Sequence, residues 1–221
     1  MGTEDWYRNI EWNDGIESAY RAKLSRARSM RPQYLQIQAS QLAQSYPDVA
    51  LGLIDEYFQL YEDFIVPSAL CTRAEAYISL GRIEEAINAY KDALDWELMH
   101  PNFITNARID LPILVVKRRL QTEYDYALGI LTQRFKSSDH LWPKMRYYWN
   151  GCCSLIALER SQKSEAREFA ERALRAAEET ESPFRHHRPI GLVKDTSDDF
   201  GQRIKRIARP SILRSFLRLG S

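Results

Sequence analysis

The sequence predicts an all-α fold, an array of packed helical hairpins, and three observations carry that prediction. Apolar residues recur at three- and four-residue intervals along most of the chain, and no run alternates as a half-buried strand would. Proline and glycine fall at helix-length spacings, at Pro32, Pro47, Pro67, Gly81, Pro143 and Pro210. Alanines also recur near the starts of successive second helices: Ala50, Ala86, Ala127 and Ala166 lie 36, 41 and 39 residues apart, intervals within the range of helix-turn-helix repeats.

The first helix begins near Asn13 or Asp14, either of which is a suitable N-cap. Its stripe is Ile16, Ala19, Tyr20 and Leu24, with the stem of Lys23 at the edge, and its basic residues gather towards the C-terminal end, as the helix dipole prefers. Pro32 opens the second helix and Tyr46-Pro47 ends it. Asp48 starts a third. Pro67 starts a fourth, which Gly81 closes as a C-cap residue, and the segment from Arg82 to Glu97 turns straight back along it. A further helix runs through residues 102–120, where Pro112 implies a kink or a later start, and its partner covers Glu123 to Lys136. Pro143 sits in the first turn of a long apolar helix. The helix after it returns along alanines 166, 170, 173 and 177. After Ser182 periodicity is lost until a short helix at Phe200 to Ala208, and residues 211–221 form a candidate terminal turn or helix.

Residues Ala74 to Ala93 resemble a tetratricopeptide repeat. Ala74 is the small residue of the first helix, Tyr77 the aromatic one turn on, and Gly81 the turn. Ala86 is the small residue at the crossing, Tyr90 the large wedge and Ala93 the second close contact, while Leu98 stands where the family's closing proline is expected. Weaker copies keep Ala50 and Tyr57, and Ala157, Ala166, Ala170 and Ala173 with Ser161 in place of the turn glycine. The resemblance covers roughly residues 32 to 180. It implies an α-α superhelix with an N-terminal capping helix over 1–31, hairpin repeats over 32–182 and a basic C-terminal cap or tail over 183–221. Trp6, Tyr7 and Trp12 in the first segment are expected either to clamp the first helix or to form an interface hot spot.

Composition gives no bulk argument for a nucleic-acid or membrane partner, because the formal net charge is only +1. No run approaches the ~20 apolar residues that span a bilayer, and the first residues lack the pattern of a signal peptide. The three cysteines, Cys71, Cys152 and Cys153, are too few and too oddly placed for a disulfide framework. Buried free thiols and a cytoplasmic location are expected. Charge is nonetheless uneven: residues 44–100 hold eleven acids against Arg73, Arg82 and Lys91, a net of −8, and the segment from Arg21 to Arg31 is purely basic.

A search for chemistry finds no phosphate loop, nucleophile elbow or metal-ligand spacing. His186-His187 is the densest histidine pair; His100 and His140 stand alone. The acidic pairs Asp55-Glu56, Glu62-Asp63, Glu84-Glu85 and Asp198-Asp199 are expected on solvated helix faces. No cofactor and no metal is expected. The function expected is therefore a noncatalytic scaffold, adaptor or accessory, immunity-like regulator that binds a protein or peptide. The groove positions expected to contact it are Gln36, Ser40, Arg73, Asn106, Arg108, Arg146 and Asn150. One alternative is a nucleic-acid-linked regulator whose basic ridge is Arg203, Arg206 and Arg209, with Ile204, Ile207 and Ala208 facing inward. Another is an enzyme with a site in the groove, which requires a polar cavity of convergent, perturbed side chains.

Overall fold

A computed structural model describes residues 5–60, 65–134, 141–182 and 190–209. Their regular structure is helical: α1 (Asp14–Leu24), α2 (Arg31–Leu42), α3 (Pro47–Leu60), α4 (Val66–Ser79), α5 (Ile83–Met99), α6 (Ala107–Arg118), α7 (Tyr124–Arg134), α8 (Pro143–Glu159), α9 (Lys163–Ala177) and α10 (Asp199–Ala208), with a 3-10 turn at Gln121–Glu123. The chain forms two compact units, Met1–Ala107 and Arg108–Ser221. Nothing in the sequence pattern marks that division. His140, His186, His187, the pair Glu62-Asp63 and the segment 211–221 lie outside the described residues.

In the first unit α2 packs on α3, α3 on α4 and α4 on α5. The small residues expected at the hairpin contacts are buried: Ala50, Ala74, Ala86 and Ala93 are each 0% exposed, and Tyr57 and Tyr90 fill the space beside them. Helix α1 is capped by Asn13, whose Oδ1 accepts from the Ile16 N–H at 3.0 Å. Only part of its expected stripe is core. Tyr20 and Leu24 are buried, Ile16 is half-buried and Ala19 is exposed. Two arginines of the basic run are used internally, because Arg21 and Arg31 both bond the carboxylate of Glu56 on α3.

One turn geometry occurs three times. After α4, Gly81 takes φ +73°. Its N–H bonds Ile78 O at 3.0 Å and the next N–H, of Arg82, bonds Tyr77 O at 2.9 Å, which is a Schellman motif. After α8, Ser161 takes φ +62°, with Ser161 N to Leu158 O and Gln162 N to Ala157 O both at 2.9 Å. After α6, Arg119 takes φ +56°, and Leu120 N bonds Val115 O at 3.0 Å. Ser161 therefore occupies the glycine position, as the resemblance implied. Arg119 is a third equivalent that the sequence conceals. Five residues separate Gly81 from Ala86 and Ser161 from Ala166, but eight separate Arg119 from Ala127. The difference matches the three residues of the 3-10 turn.

The left-handed conformation costs a residue with a Cβ more than glycine. Ser161→Gly is therefore expected to stabilise the protein by about 1 kcal/mol, and Gly81→Ala to destabilise it by about the same amount. Thermal unfolding of the two variants beside the wild type checks both signs.

In the second unit α8 and α9 form the tightest hairpin. Ala166, Ala170 and Ala173 are 0% exposed and Ala176 is 3% exposed. The last inward alanine is therefore Ala176, three positions beyond Ala173, and not Ala177, which is half-buried. Ser154, also 0% exposed, donates to Ala166 O at 2.7 Å across that hairpin. Helix α6 begins at Ala107, five residues before Pro112, and the proline is accommodated inside it. Helix α10 covers one side of α8. Phe200 and Ile204 are 1% and 0% exposed, and Phe200 lies against Gly151, where an added Cβ would fall 2.5 Å from its Cζ. Helix α10, part of the basic C-terminal region, is thus docked on α8 and α9. Cys152 and Cys153 are buried and free, and Cys71 is half-buried. Burial pushes the Cys153 thiol up to about 12 and raises that of Cys152 strongly.

Candidate partner-binding faces

In the first unit the first helices of successive hairpins, α2 and α4, touch side by side: Gln36 Nε2 donates to Thr72 Oγ1 at 3.2 Å. Ser40 lies one turn beyond Gln36 on α2, and Ser68 one turn before Thr72 on α4, where its carbonyl accepts from Thr72 Oγ1 at 3.1 Å. Gln36 and Ser40 are half-buried at the edge of this strip, and Ser68 is exposed. The strip carries an amide and hydroxyls, groups suited to a peptide main chain, and half-buried Glu75 stands three positions beyond Thr72 on α4.

Arg73 does not join them. It bonds Asp55 Oδ1 at 2.6 Å and lies 4.5 Å from the centroid of the Phe58 ring, so its guanidinium is turned onto α3. One helical position, about 100°, separates it from Thr72. Asn106 is exposed and precedes α6 rather than lying on it, while Arg108 is half-buried in the first turn of α6. In the second unit Arg146 pairs with Glu179. Asn150 is only 3% exposed; its Nδ2 donates to Arg146 O at 2.8 Å and its Oδ1 has no hydrogen-bond partner. Arg146 thus ties α8 to the segment just after α9, and Asn150 is buried rather than presented to solvent.

The three arginines near the C-terminus do not form one ridge. Arg203 is 8% exposed, and its Nη1 donates to Val116 O at 2.9 Å. It thereby caps the C-terminal end of α6, where the helix dipole favours a cation. Arg206 and Arg209 are exposed, while Ile207 and Ala208 are only half-buried. The reason is the angle of docking: α10 rests on Phe200 and Ile204, and Arg203, one position before Ile204, falls on the same inner side.

A cleft of about 520 Å³ opens in the second unit between the start of α8 and the segment 190–198. Lys144 and Tyr148 line one side, Lys194, Asp195 and Asp198 the other. Two of these acids are committed locally. Asp195 accepts from the N–H and hydroxyl of Ser197. Asp198 caps α10 through Gly201 N at 2.9 Å and pairs with Lys117 at 3.0 Å. Beside Lys144, burial pushes the Asp110 carboxyl up to about 6, and the lysine only partly opposes it. A carboxyl whose folded pKa is raised favours the folded state when protonated, so stability is highest below its unfolded value and falls as pH rises towards about 6. Asp110→Asn is expected to stabilise the chain by roughly 1–2 kcal/mol at pH 7 and to flatten this decline between pH 4 and 6. Urea unfolding at several pH values measures it.

Sequence reasoning passed over two polar anchors. Gln38 of α2 is 0% exposed. Its Oε1 accepts from Asn9 N at 3.0 Å and from Asn9 Nδ2 at 2.8 Å, and its Nε2 donates to Asn9 O at 2.8 Å. Glu97 of α5 is 1% exposed and accepts from Thr105 N and Oγ1 at 2.7 and 2.6 Å, holding the segment that leads to α6. A signal was present. Gln38 stands among Leu35, Ala39 and Leu42, and Glu97 follows Tyr90, Ala93 and Leu94, each at a core position of its helix.

Among the described residues no group of three or more His, Cys, Asp or Glu side chains is placed to hold a metal ion, and no helix is long and apolar enough to cross a membrane. The architecture is that of an all-helical hairpin-repeat protein. Residues 67–98 match the family described as tetratricopeptide repeat, so α4, its Schellman turn and most of α5 form a tetratricopeptide-like repeat unit. No curated protein and no solved structure matches the chain.

Proposed function

We propose that the protein is a noncatalytic scaffold or adaptor that binds a protein or peptide partner, with the polar α2–α4 strip as the contact surface. The observation that carries this reading is the Gln36–Thr72 hydrogen bond, which aligns two first helices and their polar edges as one surface. Amides and hydroxyls of this kind bond an extended main chain without demanding one side-chain charge. The family match over residues 67–98 supports the reading, since hairpin repeats present extended surfaces to partners.

Affinity capture from the native host tests it, with wild type compared with Ser40→Arg. The expected result is a stoichiometric protein partner that the variant, still helical by circular dichroism, retains at least tenfold less. Capture of no protein by folded bait, or equal capture by both, refutes the reading.

A further inference from the structure

The cleft between the start of α8 and the segment 190–198 has the size and chemistry of a small-molecule site. Its volume of about 520 Å³ falls within the usual span of ligand pockets, about 300–1,000 Å³. Two features hold its walls. Gly191 takes φ +81°, and its carbonyl accepts from the Lys144 N–H at 2.7 Å, which ties the segment to the first turn of α8. The Tyr148 ring packs on that of buried Phe200, with centroids 5.5 Å apart. Ile190, Leu192 and Val193, together with the Tyr148 ring, give the cleft its apolar surface.

The charged groups around the cleft select the occupant. Asp195 is occupied by the N–H and hydroxyl of Ser197. Lys205, whose Nζ bonds the neighbouring Thr196 O at 3.0 Å, lies in its field. Asp198 is occupied by Gly201 N and Lys117. Asp110 of α6 is not on the lining, and it opposes Lys144 electrostatically without an ion pair. Among the described residues the ammonium groups of Lys144 and Lys194 and the hydroxyl of Tyr148 make no hydrogen bond and no ion pair. The unsatisfied side chains of the lining are therefore donors. Asp195 and Asp198 are each balanced by a lysine, Lys205 and Lys117. Lys144 and Lys194 then stand against Asp110 alone, a surplus of one positive charge. A carboxylate matches that surplus, whereas a phosphate monoester brings nearly twice the charge.

We infer that this cleft binds a small organic carboxylate, its apolar body against Ile190, Leu192, Val193 and the Tyr148 ring, and its carboxylate among the two lysines and the Tyr148 hydroxyl. Hydrogen bonds from ammonium groups to a carboxylate are charge-assisted and stronger than neutral ones. A ligand held there joins the start of α8 to the segment that leads into α10, and by binding only the folded chain it stabilises it.

Hydrocinnamate, an aromatic ring on a short chain ending in a carboxylate, serves as the probe. Hydrocinnamamide, phenethylamine and phenyl phosphate are the comparisons. Calorimetric titration at pH 7 is expected to show saturable binding of hydrocinnamate, at least tenfold tighter than the amide or the amine. Lys144→Gln and Lys194→Gln should each weaken it at least fivefold with helix content unchanged. Lys163→Gln, at an exposed lysine that does not line the cleft, should leave it as it is. Asp110→Asn removes the opposing charge and should tighten it about threefold. Hydrocinnamate should raise the unfolding temperature of the wild type but not of the double variant Lys144→Gln, Lys194→Gln. Ser40→Arg, on the α2–α4 strip, should bind hydrocinnamate normally, so this cleft and the proposed main-chain surface stand or fall separately. Equal binding of hydrocinnamate and its amide, no saturable binding, or unchanged affinity in both lysine variants would overturn the inference. Tighter binding of phenyl phosphate would assign the cleft to a phosphate and overturn it equally. So would tighter binding of a peptide with a free C-terminus, which assigns the cleft to a protein partner.

Discussion

Gln38→Leu is expected to cost the first unit about 3 kcal/mol and to release the segment before α1. The substitution nearly conserves volume, so the loss comes from polarity. The buried Gln38 amide satisfies the N–H, carbonyl and side chain of Asn9 through three hydrogen bonds of 2.8–3.0 Å. With leucine there, no side-chain amide meets those groups, and each net hydrogen bond lost removes about 1 kcal/mol. Asn9 is partly exposed, so water recovers its groups most cheaply if the segment lifts away, which separates Trp6 from Tyr20 and Tyr34. Tryptophan fluorescence should therefore shift to the red well below the main unfolding transition. Asn9→Ala removes the two Nδ2 bonds, to Gln38 Oε1 at 2.8 Å and to Trp6 O at 2.7 Å, but keeps both backbone bonds to Gln38, and it should cost about 2 kcal/mol without that early transition. Equal behaviour of the two variants would show that the amide of Gln38 is not the anchor.

Gly201→Ala is expected to detach α10, at a cost of about 3 kcal/mol. A Cβ at Gly201 would stand 2.3 Å from Thr196 O and 2.8 Å from its carbonyl carbon. Those are backbone atoms, and they lie in the segment that leads into the Asp198 cap, so rotation of a side chain cannot relieve the clash. Elsewhere in a helix alanine is favoured over glycine, and the loss should appear despite that preference. Detachment uncovers Phe200 and Ile204 and withdraws Arg203 from Val116 O. Hydrogen exchange should then quicken in α10 and at the C-terminal end of α6, with the first unit unchanged. Gly151→Ala is a useful comparison. Its added Cβ would meet the far end of the Phe200 ring, which can move, and its effect should be smaller.

Much of the fold was legible in the sequence because helix formation and hairpin packing are set by neighbours within a few turns. Asn13 as the cap of α1, Gly81 as a left-handed turn, and the alanines at 86, 93, 166, 170 and 173 all occupy their expected roles. The binding surface was much less legible. Gln36 and Ser40 share an edge with Thr72, but Arg73 is drawn to Asp55 and Phe58, Arg146 to Glu179, and Asn150 is buried on its own helix. Whether a long polar side chain reaches solvent depends on partners remote in sequence, and those become neighbours only after packing.

The sequence alone determined the all-helical class, the order of the helices and the tetratricopeptide-like segment, since periodicity, caps and small-residue contacts are local. Tertiary structure alone decided the fate of the polar residues in core register. Gln38 and Glu97 stand where periodicity asks for an apolar side chain, whereas Arg203 is expected on an outward basic ridge, and the three are buried against backbone groups 29, 8 and 87 residues away. A buried donor or acceptor must find a partner. Only the packed chain brings Asn9, Thr105 and Val116 to these three side chains.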